Sequence, residues 1–170
     1  MRRDRDPAGR PKNARPRDAL GRPLGRGTSE AGADQDRIPD DLVISGADAA
    51  TLADQLLREG RPFHAHEVLE AAWKAGPPAE RDLWQGLAQI AVGLTHARRG
   101  NARGAAALLR RGTERVRAGQ EQDEPAAGSH PYGLDLPAVL AASDDLAARI
   151  ERHGLDGIAP ADLSVRLLRT

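Results

Sequence analysis

Residues 62–73 read PFHAHEVLEAAW, from Pro62 to Trp73, and residues 83–100 read LWQGLAQIAVGLTHARRG, from Leu83 to Gly100. Both are long enough and free enough of interior prolines to be helices, and their pairing decides the fold. At 100° per residue, Leu69, Trp73, His66, Glu70, Phe63 and Glu67 fall within one arc of about 160°. An amphipathic helix keeps charges off its apolar stripe, because a buried charge is costly unless paired, hydrogen-bonded or metal-bound. His66 and Glu70 therefore call for a partner. The second segment is apolar on most of its circumference and predicts a central helix. Leu83, Leu87, Ile90 and Leu94 form one flank; Gln85, Gln89, Val92, Gly93 and His96 form another, with Gly86 at its edge. The expectation is that the Gln89/His96 face meets the His66/Glu70 face. Gly86 and Gly93 would leave room for that approach, at about 1 kcal/mol each relative to alanine.

Working outward, end signals delimit the remaining elements. A first helix is expected over Asp48 to Glu59, carrying Leu52, Leu56 and Leu57, with Gly60 as its stop. Pro62 suits the first turn of the second helix, which should end at Gly76-Pro77-Pro78. Pro78-Ala79-Glu80 opens the third helix and Gly100 closes it. Asn101 is the expected cap of a fourth helix running from Ala102 to about Arg117. A loop follows over 118–134, containing His130 and Tyr132, the latter within reach of the bundle. A fifth helix, about Leu136 to His153, has Asp135 as cap and Gly154 past its end, where His153 suits the helix dipole. Ile158, Leu163, Val165 and Leu167 equip the tail to strap across the core. His64, about 160° from His66, should face solvent or a neighbouring helix. The fold class is all-α, a compact bundle of about five helices over residues 38–170, with its core motifs at 62–101.

The formal net charge of zero hides an asymmetry: residues 1–27 carry nine Arg or Lys against three Asp. Residues 1–37 read as a disordered, basic Arg/Pro/Gly arm, with too few apolar side chains to offset the entropy of ordering. Nucleic acid is disfavoured as a partner; any contact would run through this arm, which lacks aromatics for stacking. With no cysteine, thiol catalysis, disulfides and Cys-type zinc sites are excluded. That composition fits a cytoplasmic protein. No apolar run is long enough to span a membrane. Neither a phosphate-binding glycine loop nor a serine nucleophile elbow is present.

Phe63, the run Ala65 to Glu70 with Trp73, then Gln85-Gly86-Leu87 with Gln89, then His96 followed by Arg99-Gly100-Asn101, resemble the two signatures of domain-of-unknown-function family 309. This is a small all-helical family of bacteria and archaea carrying the label of predicted metal-dependent hydrolases. The resemblance covers roughly Asp48 to Arg117 and implies His66, Glu67, Glu70 and His96 as the site. Where the family pattern leads one to expect a further acidic residue after Glu70, this chain has Ala71.

The residues themselves support three schemes. In the first, His66 and Glu70, four apart on one helix, bind a divalent metal such as zinc, manganese or iron with His96 as third ligand. Glu67 then serves as general base toward metal-bound water acting on a small-molecule substrate. The spacing is H-E-x-x-E, not the protease H-E-x-x-H. In the second scheme the network is structural: Glu70 accepts from a histidine, Gln89 donates to Glu67, and Arg99 adds charge while Trp73 and Phe63 pack in the core. In the third, the cleft, with Gln85, Gln89, Trp73 and Arg99 around it, binds a ligand or partner without catalysis. Homo-oligomerisation is left open.

Overall fold

Ser45 opens the first helix, α1 (Gly46–Arg58): its Oγ accepts from Asp48 N at 3.1 Å and donates to the Asp48 carboxylate at 2.8 Å. Such a cap satisfies a backbone donor that the helix start leaves without an intrahelical partner. Gly60, at φ 73°, turns the chain in the left-handed region, and Pro62 then begins α2 (Pro62–Ala75). A single 3₁₀ turn over Pro78–Glu80 leads into α3 (Arg81–Arg98). Gly100, at φ 81°, ends α3. Asn101 Oδ1 accepts from Gly104 N at 2.9 Å to start α4 (Ala102–Gln122). Asp135 caps α5 (Leu136–His153) through Ala138 N at 3.2 Å.

The computed structural model describes residue 22, residues 38–122 and residues 131–170. The arm expected over 1–37, Arg22 apart, lies outside the described residues, as does His130. The described residues form five α-helices and no strand; one isolated antiparallel bridge pairs Leu134 with Leu168. No described helix is long and apolar enough to cross a membrane.

Consecutive helices pack on one another, and the closest pair is α3 with α4. This corrects the expected use of the glycines. A Cβ at Gly86 would fall 2.5 Å from Val116 Cγ2 and 2.8 Å from the Gly112 carbonyl; one at Gly93 would sit 3.1 Å from Leu109. Gly86, Gly93 and Gly112 thus bring α3 and α4 together backbone to backbone, rather than admitting α2. A second correction concerns the end of α4, which continues five residues past the expected Arg117. Nothing in Ala118-Gly119-Gln120-Glu121-Gln122 breaks a helix, and Pro125 is the first residue whose ring acts against one.

Leu56 and Leu57 of α1, Val68 and Leu69 of α2, Leu87, Ile90 and Leu94 of α3, Leu109 and Val116 of α4, and Val139 and Ile150 of α5 share one core. Each such burial is worth roughly 1.5–3 kcal/mol, so packing rather than helix propensity holds the bundle. The tail straps across it as expected, with Ile158, Leu163, Val165 and Leu167 all buried. Buried Asp54 of α1 fastens this strap. Its Oδ1 accepts from Leu167 N at 2.7 Å and Leu168 N at 3.3 Å, while Arg58 and Arg166 lie within 3.5 Å of its carboxylate. Tyr132 packs on the bundle too. Its ring lies against Gly46 and 5.5 Å from the Trp84 ring, and its hydroxyl donates to Glu80 at 2.6 Å. The other Glu80 oxygen accepts from Trp84 Nε1 at 2.9 Å.

Candidate functional site

The face of α2 that enters the core is Ala65, Val68, Leu69 and Ala72, all essentially inaccessible to solvent. His66, Glu70 and Trp73 run along its edge on successive turns and are half-buried. The expected arc is therefore rotated. Alanines, which carry little hydrophobic weight in a sequence pattern, occupy the centre of the stripe, because small side chains let neighbouring helices approach. His64 is buried rather than turned toward water, with the Phe63 ring edge-on to it at 5.9 Å between centroids.

The edge of α2 forms one wall of a cleft of about 230 Å³. Gln85, Ala88, Gln89 and Val92 of α3 form the second wall, and Arg115 of α4 closes one end. His66 Nε2 lies 3.6 Å from Glu70 Oε2, and Lys74 Nζ lies 3.3 Å from Glu70 Oε1. The side chains of His66 and Glu70 are 25% and 37% exposed, so the pair faces the cleft and is not a sealed core network. Burial pushes the His66 pKa below its ordinary value; the nearby Glu70 carboxylate opposes this, as does the Phe63 carbonyl, and Lys74 adds to it. The Phe63 ring packs against the imidazole at 5.8 Å between centroids. Gln89 Oε1 is a buried acceptor with no hydrogen-bond partner. Arg115 donates to Gln85 Oε1 and stands 3.9 Å from Asp82. Three acceptors, His66 Nε2, Glu70 Oε2 and Gln89 Oε1, thus belong to residues lining one cleft, with Trp73 as its apolar side.

Of the other expected site residues, Gln85, Gln89 and Trp73 line this cleft, while Glu67, His96 and Arg99 do not. His96 sits near the end of α3, seven residues past Gln89 and so about 10 Å along the axis. There its Nδ1 pairs with Asn101 Nδ2 at 2.8 Å, which ties it to the cap of α4. Glu67 is half-buried, one residue around the helix from His66, and Arg99 is exposed. Among the described residues no group of three or more His, Cys, Asp and Glu side chains is arranged to hold a metal ion. Of the set His66, Glu70 and His96, the first two stand 3.6 Å apart at the cleft, while His96 pairs with Asn101.

Two residues escaped the sequence reading. Arg115 reaches the cleft only through the α3–α4 register, which no local pattern reveals. Asp54 did leave a signal: Ala50, Ala53, Asp54 and Leu57 follow the i, i+3, i+4, i+7 spacing of a buried stripe, with a carboxylate inside it.

Residues 52–108 match the model of a domain of unknown function, DUF309. The uncharacterized protein YpuF of Bacillus subtilis (strain 168) is 48% identical over 48 residues, a stretch covering 28% of this chain and 28% of that protein. No solved structure matches. The family resemblance seen in the two motifs is thus borne out over residues 52–108, which include His66, Glu70, Trp73, Gln85, Gln89 and His96 but not Arg115.

Proposed function

Taking residues 52–108 as a DUF309 domain, we propose that its cleft is a divalent-cation site, with His66 and Glu70 as the ligands from α2 and the Gln89 side-chain oxygen as the contribution from α3. The observation that carries this reading is the 3.6 Å approach of His66 Nε2 to Glu70 Oε2 at the cleft wall. Two donors on one helix turn at that spacing need only a small adjustment to share an ion with bonds of about 2.0–2.2 Å. The unpartnered Gln89 oxygen supports it, because a buried acceptor with no donor is costly and a cation would satisfy it. Glu70 would bind through Oε2 while Oε1 stays with Lys74, and Trp73 and Val92 would limit access of bulk water. A bound ion would supply Lewis-acid polarisation of a substrate oxygen or water.

Hydrolysis is a further claim, implied by the family resemblance, and it asks Glu67 to act as base from beside the cleft. The cleft as built supports binding more directly than turnover. A cytoplasmic setting remains the expectation for this cysteine-free chain. The test is zinc and manganese titration by calorimetry on untagged protein. His66→Ala and Glu70→Gln should each weaken binding at least about tenfold, the loss of roughly one ligand's worth of affinity. Glu67→Gln and His96→Ala should leave it unchanged. Wild-type protein that takes up neither ion sinks the proposal.

A further inference from the structure

At the opposite end of α3 from its Trp84 turn, a second cleft of about 560 Å³ lies between the ends of α1 and α3 and the C-terminal strap. Arg58, Arg98, Arg166 and Ser164 line it, with Glu59 as the one lining carboxylate. Glu59 is engaged, accepting from Gln55 Nε2 at 2.9 Å and lying 3.7 Å from Arg61. Asp54 is buried beneath the cleft and accepts from the strap's backbone N–H groups, and Asp162, in the turn beside lining residue Ala161, lies 3.9 Å from Arg149. Three arginines therefore line the cleft, while Asp54 is buried and Glu59 and Asp162 are each engaged with another arginine.

The guanidinium orientations favour a ligand. Arg58 and Arg166 both approach Asp54 through Nε, at 3.2 and 3.5 Å. Their side chains are 53% and 50% exposed, which leaves the terminal nitrogens available at the surface. Arg98 packs on Gly60, whose missing Cβ would lie 3.2–3.4 Å from the guanidinium. Its Nη2 donates to the Pro160 and Leu163 carbonyls at 3.3 and 3.4 Å; its Nε is buried without a partner, and among the described residues no carboxylate pairs with it. A bland role, neutralising the carbonyl ends of α1 and α3, accounts for Arg98 but not for two further arginines converging on one buried aspartate.

We propose that this cleft binds the diphosphate group of a small molecule, held by the outward nitrogens of Arg58 and Arg166 over the charge of Arg98. Planar guanidinium forks match phosphate oxygens in pairs, and three cations in one cleft suit a multiply charged anion. Nucleic acid is the weaker occupant because no aromatic lines the cleft to stack a base. The site is independent of the His66/Glu70 cleft, and half of its lining, including Arg166 and Ser164, comes from the strap outside residues 52–108.

The experiment is calorimetric titration of the full chain with inorganic pyrophosphate at low ionic strength. Wild type should bind, with affinity falling as salt is added. Arg58→Gln and Arg166→Gln, made separately so that Asp54 keeps one arginine and both N–H donors, should each weaken binding about tenfold, as for loss of a charge-assisted hydrogen bond. Arg58→Lys should fall between, since it keeps the charge and loses the fork. His66→Ala should bind pyrophosphate as wild type does, which separates this site from the cation cleft. No binding by wild type, unchanged affinity in both glutamine variants with wild-type thermal midpoints, or tighter binding of single-stranded DNA than of pyrophosphate would each overturn the assignment.

Discussion

Replacing Gly86 by alanine should destabilise the protein, although alanine is the better helix former. In an ordinary helix the change would gain about 1 kcal/mol. At this position the new Cβ would sit 2.5 Å from Val116 Cγ2, 2.8 Å from the Gly112 carbonyl oxygen and 2.9 Å from Val116 N. Two of these atoms are backbone, so relief requires α3 and α4 to separate by several tenths of an ångström along their whole contact. Overpacking of this kind costs typically 1–3 kcal/mol, and a backbone clash belongs at or above the upper end. The net loss should be about 1–2 kcal/mol, a fall in thermal midpoint of several degrees for a domain of this size. Urea and thermal unfolding followed by circular dichroism measure it. Gly112→Ala, whose Cβ would meet the Gly86 carbonyl at 2.7 Å and Ile90 N at 3.0 Å, should behave alike. Equal or higher stability in Gly86→Ala would refute the close α3–α4 crossing on which the cleft geometry depends.

Removing the Asp54 carboxylate with Asp54→Ala should cost on the order of 3 kcal/mol by leaving the strap's N–H groups and a buried site unsatisfied. Hydrogen exchange should then speed up at Leu167 and Leu168 before it does elsewhere. Asn101→Ala should cost about 1 kcal/mol in equilibrium unfolding through loss of the α4 cap. Asp144 of α5 gives a pH signature. Burial acts to raise its pKa, but hydrogen bonds from Arg117 and Thr113 and the charges of Arg117 and Arg110 together hold it below the ordinary value. A carboxyl depressed in the folded state adds stability above its unfolded pKa and loses it as pH falls through the folded one. Wild type should therefore exceed Asp144→Asn in stability near neutral pH, with the gap closing below about pH 4 and narrowing in high salt; a gap that persists in acid would contradict this.

Helix boundaries were legible because their chemistry is local. Gly60, Pro62, Gly100, Asn101, Asp135 and Gly154 all act at the ends read for them, since a left-handed turn or a capped N–H depends on a few neighbouring residues. The end of α4 is not legible locally, because residues 118–122, rich in Gly, Gln and Glu, resemble a loop yet contain nothing that stops a helix. Facing was legible only in part. Helical spacing reveals the polar edge His66, Glu70, Trp73 meeting Gln85 and Gln89, whereas it does not reveal that Gly86 and Gly93 face α4. A small residue announces a close approach without saying to what. Arg115 entered the cleft through that same register, and His96 was drawn away by Asn101, a cap interaction that competes with any role beside Glu70.

The central claim is that His66 and Glu70, without His96, form the business end of the cleft. Nitrogen-15 NMR of the histidine side chains during zinc titration tests it most directly. The account predicts a large shift at His66 Nε2 that needs at least about tenfold more zinc in Glu70→Gln, while the His96 ring keeps its resonances and its contact with Asn101. A His66 ring that does not move, or a His96 ring that moves with it, would contradict the account.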